Sequence, residues 1–259
     1  MPLVETEDRG AVRHVILNRP EKRNAIHGEL VLAIGAALKE AANAPEVRVV
    51  VVRGAGAMFS SGMDFNALGA VAQQPERLRA FRRECIDAWN IAEEMTKPVI
   101  AQLHGGCIGG AVELAIAADF RVMAADAVIG MPEVRVGLVP DVGGSSRLPA
   151  LVGLGRAKEL IMTGKLIGAE EAERIGLVTR VAPADELDAA TQRLADELLA
   201  CAPLAVGLSK RILDGVAKPT LAASLELEVA AQQLCAQSED FAEGARALAE
   251  KRPPQFTGR

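Results

Sequence analysis

The spacing of apolar and polar positions changes character along the chain. Residues 11–17 (AVRHVIL) alternate in the manner of a half-buried strand. Residues 27–42 place Leu30, Ile34 and Leu38 at intervals of four, which puts them on one face of a helix. Residues 47–52 (VRVVVV) are a short β-branched run, the pattern of a strand covered on both sides. A long helix is predicted over 76–96, stopped by Pro98, and a strand over 98–103 (PVIAQL). A glycine-rich stretch and a helix (AVELAIAAD) come next, with short strands expected at 120–123, 127–131 and 177–182. From about residue 184 only helical patterns remain, over 184–201, 203–215, 219–236 and 239–250, separated by Pro, Lys-Pro or Ser breaks. Strands repeatedly followed by helices predict parallel pairing and an α/β core. The division expected is a core over residues 1–195 and a helical region over 196–259.

Composition narrows the picture. Half of the 259 residues are hydrophobic but only 3% are aromatic, and there is no Tyr. The core must therefore be built from Ala, Val, Leu and Ile, and Tyr is removed as an acid or base. The net charge is −5 with no Lys/Arg block, which argues against a nucleic-acid partner. Cys85, Cys107, Cys201 and Cys235 form no C-x-x-C pair and have no His at ligand spacing, so four reduced thiols and no metal are expected. The acidic start (MPLVETEDRG) lacks an apolar signal core, and no apolar run approaches the ~20 residues of a membrane span. A cytoplasmic protein without a membrane partner is expected.

Three segments carry candidate chemistry. In residues 104–113 (HGGCIGGAVE) a strand enters and a helix leaves. The first N–H groups of a helix lack internal acceptors, and the dipole favours negative charge there. Gly110 can therefore offer its N–H to a developing oxyanion, with Glu113 on the same face one turn later. Close packing and simple helix stabilisation explain the same pattern, and both readings stand at this point. The segment lacks the G-x-G-x-x-G spacing of a dinucleotide site. The loop Phe59-Ser60-Ser61-Gly62-Met63-Asp64 can supply a second N–H, that of Met63, although an ordinary loop reads the same way. In residues 131–144 (MPEVRVGLVPDVGG), Glu133 lies at a cleft mouth or in solvent, and Asp141 caps a turn.

Taken together, these segments resemble the crotonase family, the enoyl-CoA hydratases and isomerases. The stretches that carry the resemblance are NRPEKRNAI, AMFSSGMDF, KPVIAQLHGGCIGGAVELAIAADFRV, MPEVRVGLVPDVGGSSRLP and AEEAERIGLVTRV, in the family's order, covering about residues 4–256. The resemblance implies a spiral of ββα units followed by a helical trimerisation region, assembled as a homotrimer or a dimer of trimers. It implies an acyl-CoA thioester as substrate, with no further cofactor. The oxyanion donors would be the N–H groups of Met63 and Gly110. Glu113 would activate water and Glu133 would exchange a proton at Cα. Arg23, Ala25, Ser61 and Asp64 would lie along the CoA moiety. Lys251 and Phe256, in EKRPPQF, would cover the adenine of a neighbouring subunit or simply end a helix.

Two departures bear on the reaction. Family hydratases usually carry a small residue where this chain has Asp141, whereas the related dienoyl-CoA isomerases carry an acid there. Those isomerases, however, have Asp at the position of Glu113, shorter by a bond of ~1.5 Å. Asn66 stands where many members have a Lys that meets CoA phosphate. The reading is thus a hydratase with Glu113, Glu133 and Asp141 as site acids, and a double-bond isomerase as the alternative. A non-enzymatic CoA- or RNA-binding protein is disfavoured by the two retained glutamates. A hydrolase using Cys107 is disfavoured because only His104 lies near that thiol. His104 is expected to be a structural hydrogen-bonding residue, Trp89 core or pocket wall, and His14 and His27 incidental.

Overall fold

The computed structural model describes residues 1–72 and 74–257. Nine strands and ten α-helices are described: β1 (Val4–Arg9), β2 (Val12–Leu17), α1 (Gly28–Asn43), β3 (Val49–Gly54), α2 (Phe65–Ala72), α3 (Pro75–Glu94), β4 (Val99–Leu103), β5 (Gly106–Ile108), α4 (Gly110–Ala117), β6 (Phe120–Ala124), β7 (Val128–Gly130), α5 (Gly144–Thr163), β8 (Ile167–Gly168), α6 (Ala169–Arg174), β9 (Arg180–Ala182), α7 (Leu187–Leu199), α8 (Pro203–Ala217), α9 (Leu221–Ala236) and α10 (Glu239–Glu250).

A six-stranded sheet runs in the order β1-β2-β3-β4-β6-β9, and a three-stranded sheet in the order β5-β7-β8. Within the large sheet β2, β3, β4, β6 and β9 pair in parallel, and only the β1–β2 hairpin is antiparallel. The chain steps from the large sheet to the small one and then into a helix: β4, β5, α4, and again β6, β7, α5. This repeated step winds the backbone into a spiral of ββα turns. The first four residues of β3, Val49 to Val52, are all buried, as a strand covered on both faces requires. In α1, Leu30, Ile34 and Leu38 point into the core as their spacing predicts, and the His27 ring nitrogen caps the helix at the Leu30 N–H.

All eight residues of α4 are buried, so this short helix lies at the centre of the molecule. Its C-terminal carbonyls are satisfied by the buried Arg121, which donates to the C=O groups of Ala115 and Ala118. Helix α5 has no counterpart in the sequence reading. Pro149 lies inside it and Gly153 breaks it with a left-handed φ of +77°, so no single apolar stripe runs through both halves. The expected division at 195/196 falls inside α7, whose Leu187, Ala190, Leu194 and Ala195 pack in the core cluster. Among the described residues no helix is long and apolar enough to cross a membrane.

Candidate active site

A cavity of about 310 Å³ opens where the turns of the spiral meet. Ser61, Gly62 and Met63 line it from one loop, and Gly109, Gly110 and Glu113 from the start of α4. Glu133 and Asp141 close it from the next turn, with Arg82 from α3 and Gln232 from α9.

The loop after β3 is held from within by Asn24. Its side chain, fully buried, donates to the C=O groups of Ala55, Met58 and Phe59. The Asn24 carbonyl accepts the Ser60 hydroxyl at 2.8 Å. Arg23 and Asn24 both adopt left-handed φ, near +54°, a conformation Asn tolerates better than most residues. This loop then runs beside the second segment: Phe59 N–H donates to His104 C=O, Ser60 N–H to Gly106 C=O, and Ile108 N–H to Ser60 C=O. A Cβ on Gly62 would stand 2.4 Å from the Ile108 oxygen and 3.5 Å from the Gly110 nitrogen. Only glycine permits that approach.

The two proposed donors are therefore brought together. Ile26 N–H to Gly62 C=O and Asp64 N–H to Ile26 C=O bracket Met63 and leave its own N–H out of the ladder. Gly110 is the first residue of α4, after Gly109 at φ +57° and ψ −129°. Among the described residues neither N–H has an acceptor in the protein.

The acids occupy unlike environments. Glu113 is 1% exposed, and its Oε1 accepts the N–H groups of Val142 and Gly144, each at 2.9 Å. Burial leaves its pKa raised on balance, against the lowering effect of those two bonds. Glu133 begins a 3₁₀ turn, Glu133–Val136, after Pro132. Its Oε2 is shut off from solvent without a partner. Burial, and then the charge of Glu113, push its pKa well above the usual carboxylate range. A methyl on Gly109 would stand 2.8 Å from Oε1 of Glu133, and one on Gly144 would stand 2.9 Å from Oε1 of Glu113. These glycines make room for the two carboxyls.

Asp141 is 3% exposed and paired with Arg82, itself 1% exposed. Burial raises the proton affinity of Asp141, while the Arg82 guanidinium lowers it. The turn after Asp141 is gripped again by Glu228 of α9, whose Oε2 accepts the Gly143 N–H at 2.7 Å. Arg147 donates to the Val142 carbonyl from the same turn and is itself balanced by the buried Glu93.

The remaining expected site residues are arranged as follows. Ser61 lines the cavity. Arg23, Ala25 and Asp64 do not, and they shape its loop instead. Ser61 N–H donates to the Arg23 carbonyl, and the Ala25 carbonyl accepts from Arg19. Asp64 pairs with Arg19 at 2.8 Å and caps α2 at the Asn66 N–H, so its carboxylate is held low, first by the Arg19 hydrogen bond. Lys251 and Phe256 are exposed outside the cavity, whereas Arg252 and Pro254 between them line it. Cys107 is buried in β5 with its thiol pushed up by burial, which makes it a poor nucleophile. His104 holds the Gly56 carbonyl at 2.9 Å, and Trp89 is fully buried in the core.

Sequence reasoning missed Arg82, Glu228 and Gln232. Each sits on a helix among other polar residues, where it reads as solvated. Only the alternation of buried positions on α3, with Leu78, Cys85 and Trp89 around Arg82, carried a signal.

The family model described as enoyl-CoA hydratase/isomerase matches residues 7–259. A crotonyl-CoA hydratase of Syntrophomonas wolfei is 35% identical over 255 residues, covering 98% of this chain and 96% of that protein. A peroxisomal Δ(3,5)-Δ(2,4)-dienoyl-CoA isomerase of Arabidopsis thaliana is 32% identical, covering 99% and 96%. The crystal structure of a carnitinyl-CoA hydratase from Mycobacterium avium superposes with a TM-score of 0.87 at 34% identity, covering all of both chains. The spiral of ββα turns, the pair of apposed N–H groups and these matches over nearly the whole length agree: the chain belongs to the enoyl-CoA hydratase/isomerase family.

Proposed function

We propose that the chain is an enoyl-CoA hydratase, adding water across the 2,3 double bond of an enoyl-CoA thioester. The observation that carries this reading is a pair of buried glutamates, both with pKa raised by burial, of which only Glu113 has N–H donors on its carboxylate, beside two N–H groups without an acceptor among the described residues. Glu113 has two N–H donors on Oε1, which favour its anion, and it serves as the base that takes a proton from water attacking Cβ. Glu133 has an unpartnered buried oxygen and the neighbouring charge of Glu113, which favour its acid form, and it delivers a proton to Cα. The pair holds one proton between them. The N–H groups of Met63 and Gly110 receive the thioester oxygen as it gains charge, each contributing about 3 kcal/mol. Backbone donors and two carboxyls supply every step, so the reading calls for no cofactor beyond the CoA of the substrate.

A double-bond isomerase is the second reading, supported by the third acid, Asp141, at the cavity wall. The ion pair with Arg82 commits that carboxylate to a counter-ion and offsets part of the rise in proton affinity that burial gives it. A homotrimer or a dimer of trimers accords with the apolar side chains that α8 leaves exposed, among them Leu204, Ile212 and Val216. A cytoplasmic site of action completes the reading.

The test is incubation with crotonyl-CoA and, separately, a 3,5-dienoyl-CoA, followed by product mass. Gain of one water on crotonyl-CoA is expected, with Glu113→Gln and Glu133→Gln each reducing kcat about 10³-fold. Rapid isomerisation of the diene without hydration of crotonyl-CoA overturns the proposal.

A further inference from the structure

Glu228 is the fourth acid of the buried cluster and has no part in the steps above. It comes from α9, in the helical half of the chain, and is 5% exposed. Its Oε2 accepts the Gly143 N–H, and its Oε1 accepts the Ser146 hydroxyl. Three successive N–H groups are thus divided between two carboxyls. Those of Val142 and Gly144 end on Glu113, and that of Gly143, between them, ends on Glu228. Gly143 has a φ of +120°, and a Cβ there would stand 1.7 Å from the Arg147 guanidinium. The turn is therefore gripped by both carboxyls and backed by Arg147.

We infer that Glu228 is a positioning residue that sets the proton affinity of Glu113 through the turn 142–144. The inference rests on the reading of Glu113 as the base. Two carboxylates that share one turn resist being ionised together. Burial and the charge of Glu113 raise the proton affinity of Glu228, and by the same coupling an ionised Glu228 raises that of Glu113, so the two titrate as a pair.

The surrounding charges leave Glu228 without a cation of its own among the described residues. From α3, Arg82 is committed to Asp141, and Glu93 to Arg147 and Lys218. Arg79 and Arg83 of the same helix are drawn to Glu226 on α9. From α5, Arg147 is bound to Glu93, Asn90 and the Val142 carbonyl. From α10, Glu243 is tied to Arg246 and Arg252. Glu133 and Asp141 add further acid on the Glu113 side.

The experiment compares the pH dependence of kcat/KM in the wild type, Glu228→Gln and Ser146→Ala. The amide carbonyl still accepts the Gly143 N–H, and its NH₂ donates to the Ser146 oxygen in place of the bonds that Ser146 gave to the carboxylate. In Glu228→Gln the acid limb is expected to move down by about one pH unit, with plateau KM within about twofold of wild type. Ser146→Ala removes a donor that favours the Glu228 anion, and a smaller shift in the same direction is expected. Should Glu228→Gln fail to fold, the serine variant carries the test. Limbs that superimpose on wild type, with only a uniform fall in kcat, overturn the inference. A carboxyl-carbon NMR titration, with Glu113 assigned by its loss in Glu113→Gln, gives a second readout that needs no turnover. An unmoved Glu113 midpoint in Glu228→Gln overturns the inference there too, whereas absence of hydration by the wild type overturns the functional reading alone.

Discussion

Replacing Arg82 by Met removes the counter-ion of Asp141 in a place where neither side chain reaches water: Arg82 is 1% exposed on its side chain and Asp141 4%. Breaking a buried pair from one side costs about 3–5 kcal/mol, because the remaining charge is stranded. For a chain of this size each kcal/mol moves Tm by about 2–4 °C, so a fall of about 6–20 °C is expected. Replacing both partners, Arg82→Met with Asp141→Leu, leaves no stranded charge, and most of that loss should return. The same guanidinium also lowers the proton affinities of Glu113 and Glu133. The single Arg82→Met variant should therefore show an acid limb of kcat/KM moved upward. The double variant also removes the repelling carboxyl of Asp141, and its limb should lie nearer to wild type. The assay is urea unfolding at fixed protein concentration, with crotonyl-CoA hydration measured on the same preparations. If Asp141 serves only as a counter-ion, the double variant keeps hydration within about tenfold of wild type, or roughly 1.4 kcal/mol of barrier. The reasoning is refuted if the double variant is no more stable than Arg82→Met. It is refuted equally if Asp141→Asn folds with unchanged stability yet loses about 10³-fold in kcat, the loss typical of an acid–base residue.

Two further outcomes are expected. Cys107→Ala should turn over at the wild-type rate within about twofold in a steady-state assay, because burial holds that thiol protonated and it does not line the cavity. Glu228 should make stability depend on pH. Its folded pKa of about 7 lies above the ordinary value, so the native state keeps a proton that the unfolded chain has lost between the two. That contribution is complete below the unfolded value of about 4.3 and is lost as pH rises through 7, by roughly 4 kcal/mol. Urea midpoints at about pH 5 and pH 8 should show Glu228→Gln gaining on wild type at the higher pH; an equal difference at both pH values would count against it.

The parts of the molecule that could be read in advance are those where one physical cause dominates. Val49 to Val52 are legible as a strand because burial on both faces demands apolar, β-branched residues in succession. The helices of the C-terminal half are legible because each ends at a Pro, Lys-Pro or Ser break. Strand β5 is not, because Gly106-Cys107-Ile108 pairs with Val128–Gly130, each residue 22 positions from its partner, and a three-residue strand leaves no periodicity. The glutamates of the cavity were legible as candidates, Glu113 from its place after a glycine turn and Glu133 only through the family resemblance. Their electrostatic partners were not. Asn24 lies between the two residues singled out in that stretch, and its role depends on three carbonyls some thirty positions away. Arg82 of α3 and Glu228 of α9 both reach the turn 141–143 that precedes α5, and such contacts follow from how helices dock against a loop rather than from any one helix.

The length of the acid at position 113 has a purpose that the fold explains. From the first turn of α4 the glutamate side chain carries one oxygen to the Val142 and Gly144 N–H groups, both at 2.9 Å. An aspartate there would withdraw that oxygen by ~1.5 Å, well beyond hydrogen-bond reach of both donors. It would lose the two interactions that favour the anion, and the turn 142–144 would lose the carboxyl that orders it from the α4 side. Glu113→Asp should therefore lower hydration through both a higher base pKa and a looser turn, and the two effects separate experimentally. The first moves the acid limb upward and is relieved by raising the pH. The second persists on the alkaline plateau. A variant whose activity recovered fully at high pH would show that the donors serve only to set charge, whereas a residual deficit would show that they also hold the attacking water's base in place.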